Sequence, residues 1–143
     1  MKFWRRRKRE RRRKARLQKL IERADTVIYD KKLFLKHNFS RRDLAVELST
    51  NRTYIAEALS SCRQCNWREY VNSFRLRYFF ELVCLEENRH LRVDELAARC
   101  GFGSAATLNR YLIQEYGITA SVYRKNLSTS LRADGKANTA TLS

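Results

Sequence analysis

The chain lacks proline altogether and has only four glycines among its 143 residues. Tight turns between strands depend on these two residue types, so the composition argues against a β-sandwich and favours an all-α fold. No apolar run approaches the ~20 residues that a transmembrane helix needs. The basic start is not followed by an apolar stretch, so no signal peptide is expected either. The sequence therefore predicts a cytoplasmic protein.

Groups that could carry catalysis are also scarce. The two histidines, His37 and His90, are far apart and neither belongs to a Ser, Cys or carboxylate arrangement typical of a triad. There is no glycine-rich loop that would bind a phosphate group. We therefore predict that the protein is not an enzyme and that it uses no cofactor.

The four cysteines do not form a convincing metal site. Cys62 and Cys65 make a CxxC pair, but Cys84 and Cys100 are sixteen residues apart, whereas structural zinc usually takes two close pairs. Without a secretion signal the thiols are expected to be reduced. Cys84 and Cys100 are predicted to be core residues, no metal is predicted, and redox sensing through Cys62 and Cys65 is a minor alternative.

Positive charge is abundant and unevenly placed. The formal net charge is +16, and residues 1–23 contribute 13 basic against two acidic residues. Such an excess indicates a polyanionic partner, either nucleic acid or an anionic membrane surface. Residues 1–25 are interpreted as a basic N-terminal segment that is either helical or a disordered, solvated tail.

A first helix-turn-helix pattern follows a short apolar segment at 26–39, which is predicted to be a helix. Ser40 and Asp43 resemble a capping box that opens one helix, and Ser49 to Asn51 can end it and cap the next. The apolar positions of the two helices are Leu44, Ala45 and Leu48, then Ile55 and Leu59. Two short helices joined by a turn of about three residues predict a helix-turn-helix.

The pattern returns 52 positions later, after a long amphipathic helix. That helix opens at a second capping-box pattern, Asn66 and Glu69, and runs for about 20 residues, or about 30 Å. The second copy has Leu96, Ala97 and Cys100, a turn at Gly101 to Gly103, a cap at Ser104, then Leu108 and Leu112. The major groove recurs on one face of B-DNA about every 34–36 Å, so such a connector can bring two recognition helices to successive grooves.

These motifs are similar to those of the AraC/XylS (arabinose-regulator) family. The resemblance rests on DELAARCGFGS at 94–104, on 108–110, on YGIT at 116–119 with Tyr123 and Arg124, and on DLA at 43–45 with TNRTYI at 50–55. The family's usual glycines at the first turn and after the first recognition helix are Ser49 and Gln64 here, its second-helix aromatics are Leu108 and Leu112, and its final proline is Ala120.

The resemblance implies two helix-turn-helix lobes of about seven helices in all, spanning 26–126. It implies a bacterial, nucleoid-associated transcription regulator, or the output domain of one, that recruits or positions RNA polymerase. Binding as a monomer is expected, and a dimer remains open. Residues 127–143 lack periodicity and are predicted to be a disordered tail.

Side chains that point away from the apolar stripes are the candidates for DNA contact. The predicted base-reading residues are Arg52, Thr53, Ala56, Glu57, Ala105, Ala106, Asn109 and Arg110. Their chemistry suits guanine (arginine), adenine (asparagine), cytosine (glutamate) and the thymine methyl group (alanine). The predicted phosphate contacts are Arg41, Arg42, Arg75, Arg77, Arg124 and Lys125.

Two other functions remain open at this point, both through the arginine-rich start. One is an RNA- or ribosome-associated adaptor. The other is a regulator tethered to an anionic membrane surface through residues 2–16, where Phe3 and Trp4 accompany the arginines.

Overall fold

A computed structural model describes the backbone of residues 1–141 and the side chains of residues 1–133. Within that part the chain forms seven α-helices and two short 3₁₀ helices and no strand, which confirms the all-α prediction. The α-helices are α1 (Lys2–Asp30), α2 (Arg41–Glu47), α3 (Arg52–Arg63), α4 (Trp67–Val83), α5 (Val93–Arg99), α6 (Ala105–Tyr116) and α7 (Ala120–Thr141). The 3₁₀ helices are Leu33–Leu35 and Glu86–Asn88.

The chain divides into two compact units, residues 1–74 and 75–143. The division falls inside α4, whose 17 residues are close to the length predicted for the connector. The first unit holds α2 and α3, and the second holds α5, α6 and α7. Each unit therefore has its own helix pair joined by a short turn.

The core of the first unit is built on α1 as well as on the helix pair. Along α1, one stripe at helical spacing is buried: Leu17, Leu20, Ile21, Ala24 and Ile28. It packs against α3, which in turn contacts α2, and aromatic rings contribute to the core, with the centroids of Phe34 and Phe74 6.1 Å apart. Residues 2–16 of the same helix are all exposed, so α1 has a packed half and a solvated half.

Asp25 joins α1 to two neighbouring helices. Its Oδ1 accepts a hydrogen bond of 2.7 Å from the hydroxyl of Tyr70, and its Oδ2 accepts one of 2.5 Å from Nη2 of Arg63. Burial and this hydrogen bond raise the pKa of Tyr70 well above its ordinary value, so the phenol stays a donor throughout the neutral range. The second half of α1 is thus part of the unit and not an appendage of it.

The core of the second unit surrounds Phe79, which is fully buried. Leu96 and Ala97 of α5 and Leu108 and Leu112 of α6 are buried with it. Cys100 is also fully buried, as predicted, and burial raises the pKa of its thiol to about 12. The prediction for Cys84 is wrong, because it directly follows the last residue of α4 and is exposed.

Three backbone hydrogen bonds of the first helix-turn-helix turn recur in the second. In the first, the amides of Leu48, Ser49 and Thr50 donate to the carbonyls of Leu44, Val46 and Ala45. In the second, the amides of Cys100, Gly101 and Phe102 donate to those of Leu96, Ala98 and Ala97. Every partner is shifted by 52 positions, and the closing bond is 2.9 Å in both turns. The repeat predicted from residue types is therefore a repeat of backbone geometry.

After the turn the offset becomes 53, because Gly103 is one extra residue before the second cap. Asn51 caps α3 through a 2.8 Å bond from the amide of Tyr54, and Ser104 caps α6 through one of 3.2 Å from the amide of Thr107. Both following helices are 12 residues long. The insertion lies before the cap, so it shifts the numbering without changing the helix that follows.

Positions that the family usually fills with glycine adopt a left-handed backbone here without it. Ser49 has φ +53° and Gln64 has φ +48°, while Gly101 and Gly117 have φ +90° and +69°. A left-handed residue with a side chain costs roughly 1–2 kcal/mol. Gln64 and Gly117 are equivalent, since each ends a 12-residue helix.

Because the two positions are equivalent, adding a side chain at Gly117 and removing one at Gln64 should change the free energy of unfolding in opposite directions. Gly117→Ala is expected to lower the free energy of unfolding by about 1 kcal/mol, and Gln64→Gly to raise it by up to about 1 kcal/mol. No atom lies within 4 Å of a Cβ added at Gly117, so backbone strain is the whole effect there. Urea unfolding monitored by circular dichroism would measure both, and a destabilised Gln64→Gly would contradict the explanation.

The two ends of the chain differ from the sequence-based boundaries. α1 runs unbroken through residue 25, where the basic N-terminal segment was expected to end. In place of the single helix expected at 26–39, the structure has the end of α1 followed by the 3₁₀ helix Leu33–Leu35. The boundary at residue 25 was placed where the density of positive charge falls. The apolar stripe that packs α1 into the core begins earlier, at Leu17, so this boundary lies inside the packed part of the helix. At the other end α7 extends over residues 127–141, where a disordered tail was predicted; residues 142–143 lie outside the described part.

Candidate nucleic-acid interface

Helix α3 presents an exposed face beside a groove of the first unit. Arg52 and Thr53 in its first turn are exposed, and Ala56 one turn later is half-buried. The groove is lined by Ala56 and Ser60 of α3, by Arg41 at the start of α2 and by Arg68 at the start of α4. A face with small side chains flanked by arginines can admit a nucleic-acid strand and hold its phosphates.

Capping geometry orients the helices around this groove. Ser40 and Asp43 form the predicted capping box at α2, with the amide of Ser40 2.9 Å from Oδ2 of Asp43. The hydrogen bonds from Ser40 lower the pKa of Asp43. Asn66 and Glu69 form the capping box at α4, with bonds of 2.9 and 3.1 Å. Both caps confirm the sequence prediction, and they place Arg41 and Arg68 in first turns, where backbone amides also face outward.

Arg68 is a residue that the sequence analysis did not select. It is exposed and lines the same groove as Arg41 and Ala56. The signal that could have found it is its place one residue after the start of α4, two residues after a recognisable cap at Asn66.

Glu57, a predicted base-reading residue, has a charged partner within the protein. Its carboxylate forms an ion pair with the guanidinium of Arg13 on α1. The ion pair offsets the negative charge of Glu57, which would otherwise repel a nearby phosphate. The sequence could not reveal the pair, since 44 positions separate the two residues.

In the second unit, α6 presents the equivalent face with different chemistry. Ala106 and Arg110 are exposed and Ala105 is half-buried. The guanidinium of Arg110 lies 5.3 Å from the ring centroid of Tyr111. Arg110 is thus the one long cationic side chain among the four residues predicted on this helix.

Asn109 has a structural contact that the sequence prediction did not anticipate. Its Oδ1 accepts a hydrogen bond of 2.9 Å from the amide of Ala120, the first residue of α7. Thr119 also caps this helix, because its hydroxyl oxygen accepts a hydrogen bond from the amide of Val122 at 3.3 Å. The start of α7 therefore uses one lone pair of the oxygen that would accept from an adenine amino group.

The six predicted phosphate contacts fall into two groups. Arg41, Arg42 and Lys125 are exposed. Arg77 is exposed but pairs with Glu81 at 3.5 Å, and Arg75 is half-buried, with a pKa lowered by burial. Arg124 is half-buried and its Nη1 donates a 2.5 Å bond to the carbonyl of Leu91. The structure thus engages Arg124 with the backbone of its own unit.

Over the residues that the structure describes, none of the helices is both long enough and apolar enough to cross a bilayer.

Comparison with known families agrees with the geometry. A family model described as a helix-turn-helix domain, of the AraC type, matches residues 44–126, more than half of the chain. The chain therefore belongs to the AraC-type helix-turn-helix family of DNA-binding transcription regulators, and the resemblance found in the sequence is confirmed. This family is not typically enzymatic. No curated protein and no solved structure matches the chain.

Proposed function

We propose that the protein is a sequence-specific transcription regulator that reads two successive major grooves, with α3 as the first recognition helix and α6 as the second. The observation that carries the proposal is the repeat of the two turns, in which each backbone bond recurs 52 positions later and each turn leads into a capped helix of 12 residues. Two copies of one DNA-binding motif in one chain favour two half-sites.

The two recognition helices differ in what they can read. On α3, Arg52 can pair with guanine and Thr53 and Ala56 can contact a thymine methyl group. On α6, Arg110 is the candidate for guanine, and Ala105 and Ala106 are candidates for thymine methyl groups. With Glu57 and Asn109 both engaged within the protein, α3 keeps two polar candidates, Arg52 and Thr53, and α6 keeps Arg110. We infer from this that α3 discriminates more strongly between sequences.

Phosphate contacts position the protein without reading sequence. We assign this role to Arg41, Arg42 and Lys125, which are exposed, and add Arg68 beside the groove. Recruitment of RNA polymerase and binding as a monomer stay predictions from the family resemblance.

Selection of binding sites from random duplexes, followed by footprinting of the selected site, tests the proposal. Two protected blocks about one helical turn apart are expected, and log affinity should fall linearly with log salt concentration. A single block would contradict reading by both helices. Equal affinity for every duplex would contradict sequence-specific regulation.

A further inference from the structure

The first half of α1 is an unusual surface for a helix attached to a DNA-reading unit. Residues 2–12, called the basic segment here, contain eight basic side chains and one acidic one, Glu10. All of these residues are exposed. The basic side chains are Lys2, Arg5, Arg6, Arg7, Lys8, Arg9, Arg11 and Arg12. Such a density of positive charge creates a strong field that attracts a polyanion.

The basic segment is a continuation of a packed helix. α1 runs without a break from Lys2 to Asp30, and its second half is anchored by Leu17, Leu20 and Ile21 in the core of the first unit. Eleven residues of α-helix extend about 16 Å. The segment is therefore held in a direction that the packed half of α1 determines.

Two ion pairs define that direction relative to α3. Arg13 pairs with Glu57 in the second turn of α3, and Asp25 pairs with Arg63 at its end. The partners follow the same order along both helices, so going back along α1 leads toward the beginning of α3. The basic segment thus extends from the end of α3 where Arg52 and Thr53 lie.

A recognition helix contacts base edges mainly through its N-terminal residues. The DNA bound by α3 therefore lies at the end of α3 toward which the basic segment extends. We propose that the basic segment lies along the sugar–phosphate backbone of the DNA that flanks the α3 half-site and binds its phosphates. This inference rests on the proposed function of α3 as a recognition helix.

The distribution of side chains favours DNA over a membrane surface. A helix that lies in a membrane interface needs a continuous apolar face. The apolar side chains of the basic segment are Phe3 and Trp4 alone, and cations cover both rings, with Arg7 4.5 Å and Lys8 5.1 Å from the ring centroids. The basic residues are spread around most of the helix circumference, as suits a helix that lies beside phosphates.

The basic segment makes a quantitative prediction through the salt dependence of DNA binding. The triple variant Arg5→Gln, Arg9→Gln, Arg12→Gln keeps good helix formers and removes three charges on one side of the segment. Each lost phosphate contact reduces the slope of log affinity against log salt by about 0.9, so a reduction of about 2.7 is expected. At 0.1 M salt that corresponds to a loss of affinity on the order of 10²-fold.

A matched control removes the same charge elsewhere. The variant Lys19→Gln, Arg23→Gln, Arg89→Gln changes three exposed residues outside the basic segment. For this control variant, the slope of log affinity against log salt should differ from that of the unaltered protein by no more than about 0.9, the contribution of one phosphate contact. Circular dichroism of both variants checks that α1 and the units keep their helicity.

The length of the footprint is a second measurement, and a change in the protein's net charge alone would not alter it. Loss of the basic segment's contacts should shorten protection beside the α3 half-site by about five base pairs, since 16 Å of helix spans that length at 3.4 Å per pair. Protection of the α6 half-site should not change.

Several results would decide the matter. An unchanged slope and flank in the triple variant, or an equal loss in the control variant, would overturn the inference. So would binding to vesicles of phosphatidylserine and phosphatidylcholine that the triple variant abolishes while DNA affinity is unchanged, because the segment would then serve a membrane. If no sequence is preferred but the triple variant alone reduces the salt slope on random duplex, the proposed function fails and DNA binding by the segment stands.

Discussion

Replacing Leu112 with alanine is expected to lower the free energy of unfolding by about 3 kcal/mol. The side chain is fully buried in the core of the second unit, against α5 and Phe79. Truncation removes apolar burial and leaves a cavity, and such Leu→Ala changes cost about 2–5 kcal/mol. Urea unfolding followed by circular dichroism would measure the loss.

The internal repeat provides a matched comparison. Leu59 occupies the equivalent position 53 residues earlier and is 1% exposed, so Leu59→Ala should cost a similar amount. Ile113, the neighbour of Leu112, is 53% exposed and its change to alanine should cost less than about 1 kcal/mol. A loss at Leu112 no greater than at Ile113 would contradict the assignment of α6's buried face.

Replacing Arg52 with alanine is expected to weaken binding to the selected site about tenfold or more and to relax preference at one base pair. A bidentate arginine–guanine pair contributes roughly 1–3 kcal/mol of discrimination. Arg52 is exposed in the first turn of α3, where the backbone of the helix begins at the Asn51 cap. Titration of the variant against a set of singly mutated sites would locate the affected pair.

Lys125→Ala serves as the comparison, because Lys125 is exposed and is proposed to contact phosphate. Its loss should weaken binding to all sites alike and reduce the salt slope by about 0.9. If Arg52→Ala behaves in the same way, with every sequence weakened equally, then Arg52 is a phosphate contact and α3 does not read guanine through it. Arg110→Ala gives the corresponding test for α6.

Local signals in the sequence predicted most of the helix boundaries. Ser40 with Asp43 and Asn66 with Glu69 form the capping boxes that their spacing indicated. The offset of 52 between the two patterns reappears in the backbone bonds of the turns. A cap or a turn depends on residues only a few positions apart, so the residue types and their spacing in the sequence are enough to predict it.

The candidate site was less predictable, because helical spacing reveals which side chains leave the core but not what they meet. Arg52 and Arg110 are exposed, as their spacing indicated. Asn109 and Arg124 were selected by residue type, and both hydrogen-bond to the backbone of the second unit. A polar side chain near a helix end satisfies an unpaired backbone group as readily as a ligand does.

The sequence alone determined the family-specific motifs of this protein: two helix-turn-helix motifs, their caps and the residues of their buried stripes. Only the tertiary structure decided which part of the arginine-rich start belongs to the fold. Charge density marks residues 1–23 as one segment, yet burial divides it at Leu17, since one apolar stripe of α1 packs into the core of the first unit. The pairing of Arg13 with Glu57 was decided in the same way, because contact between distant residues arises from packing and leaves no local pattern in the chain.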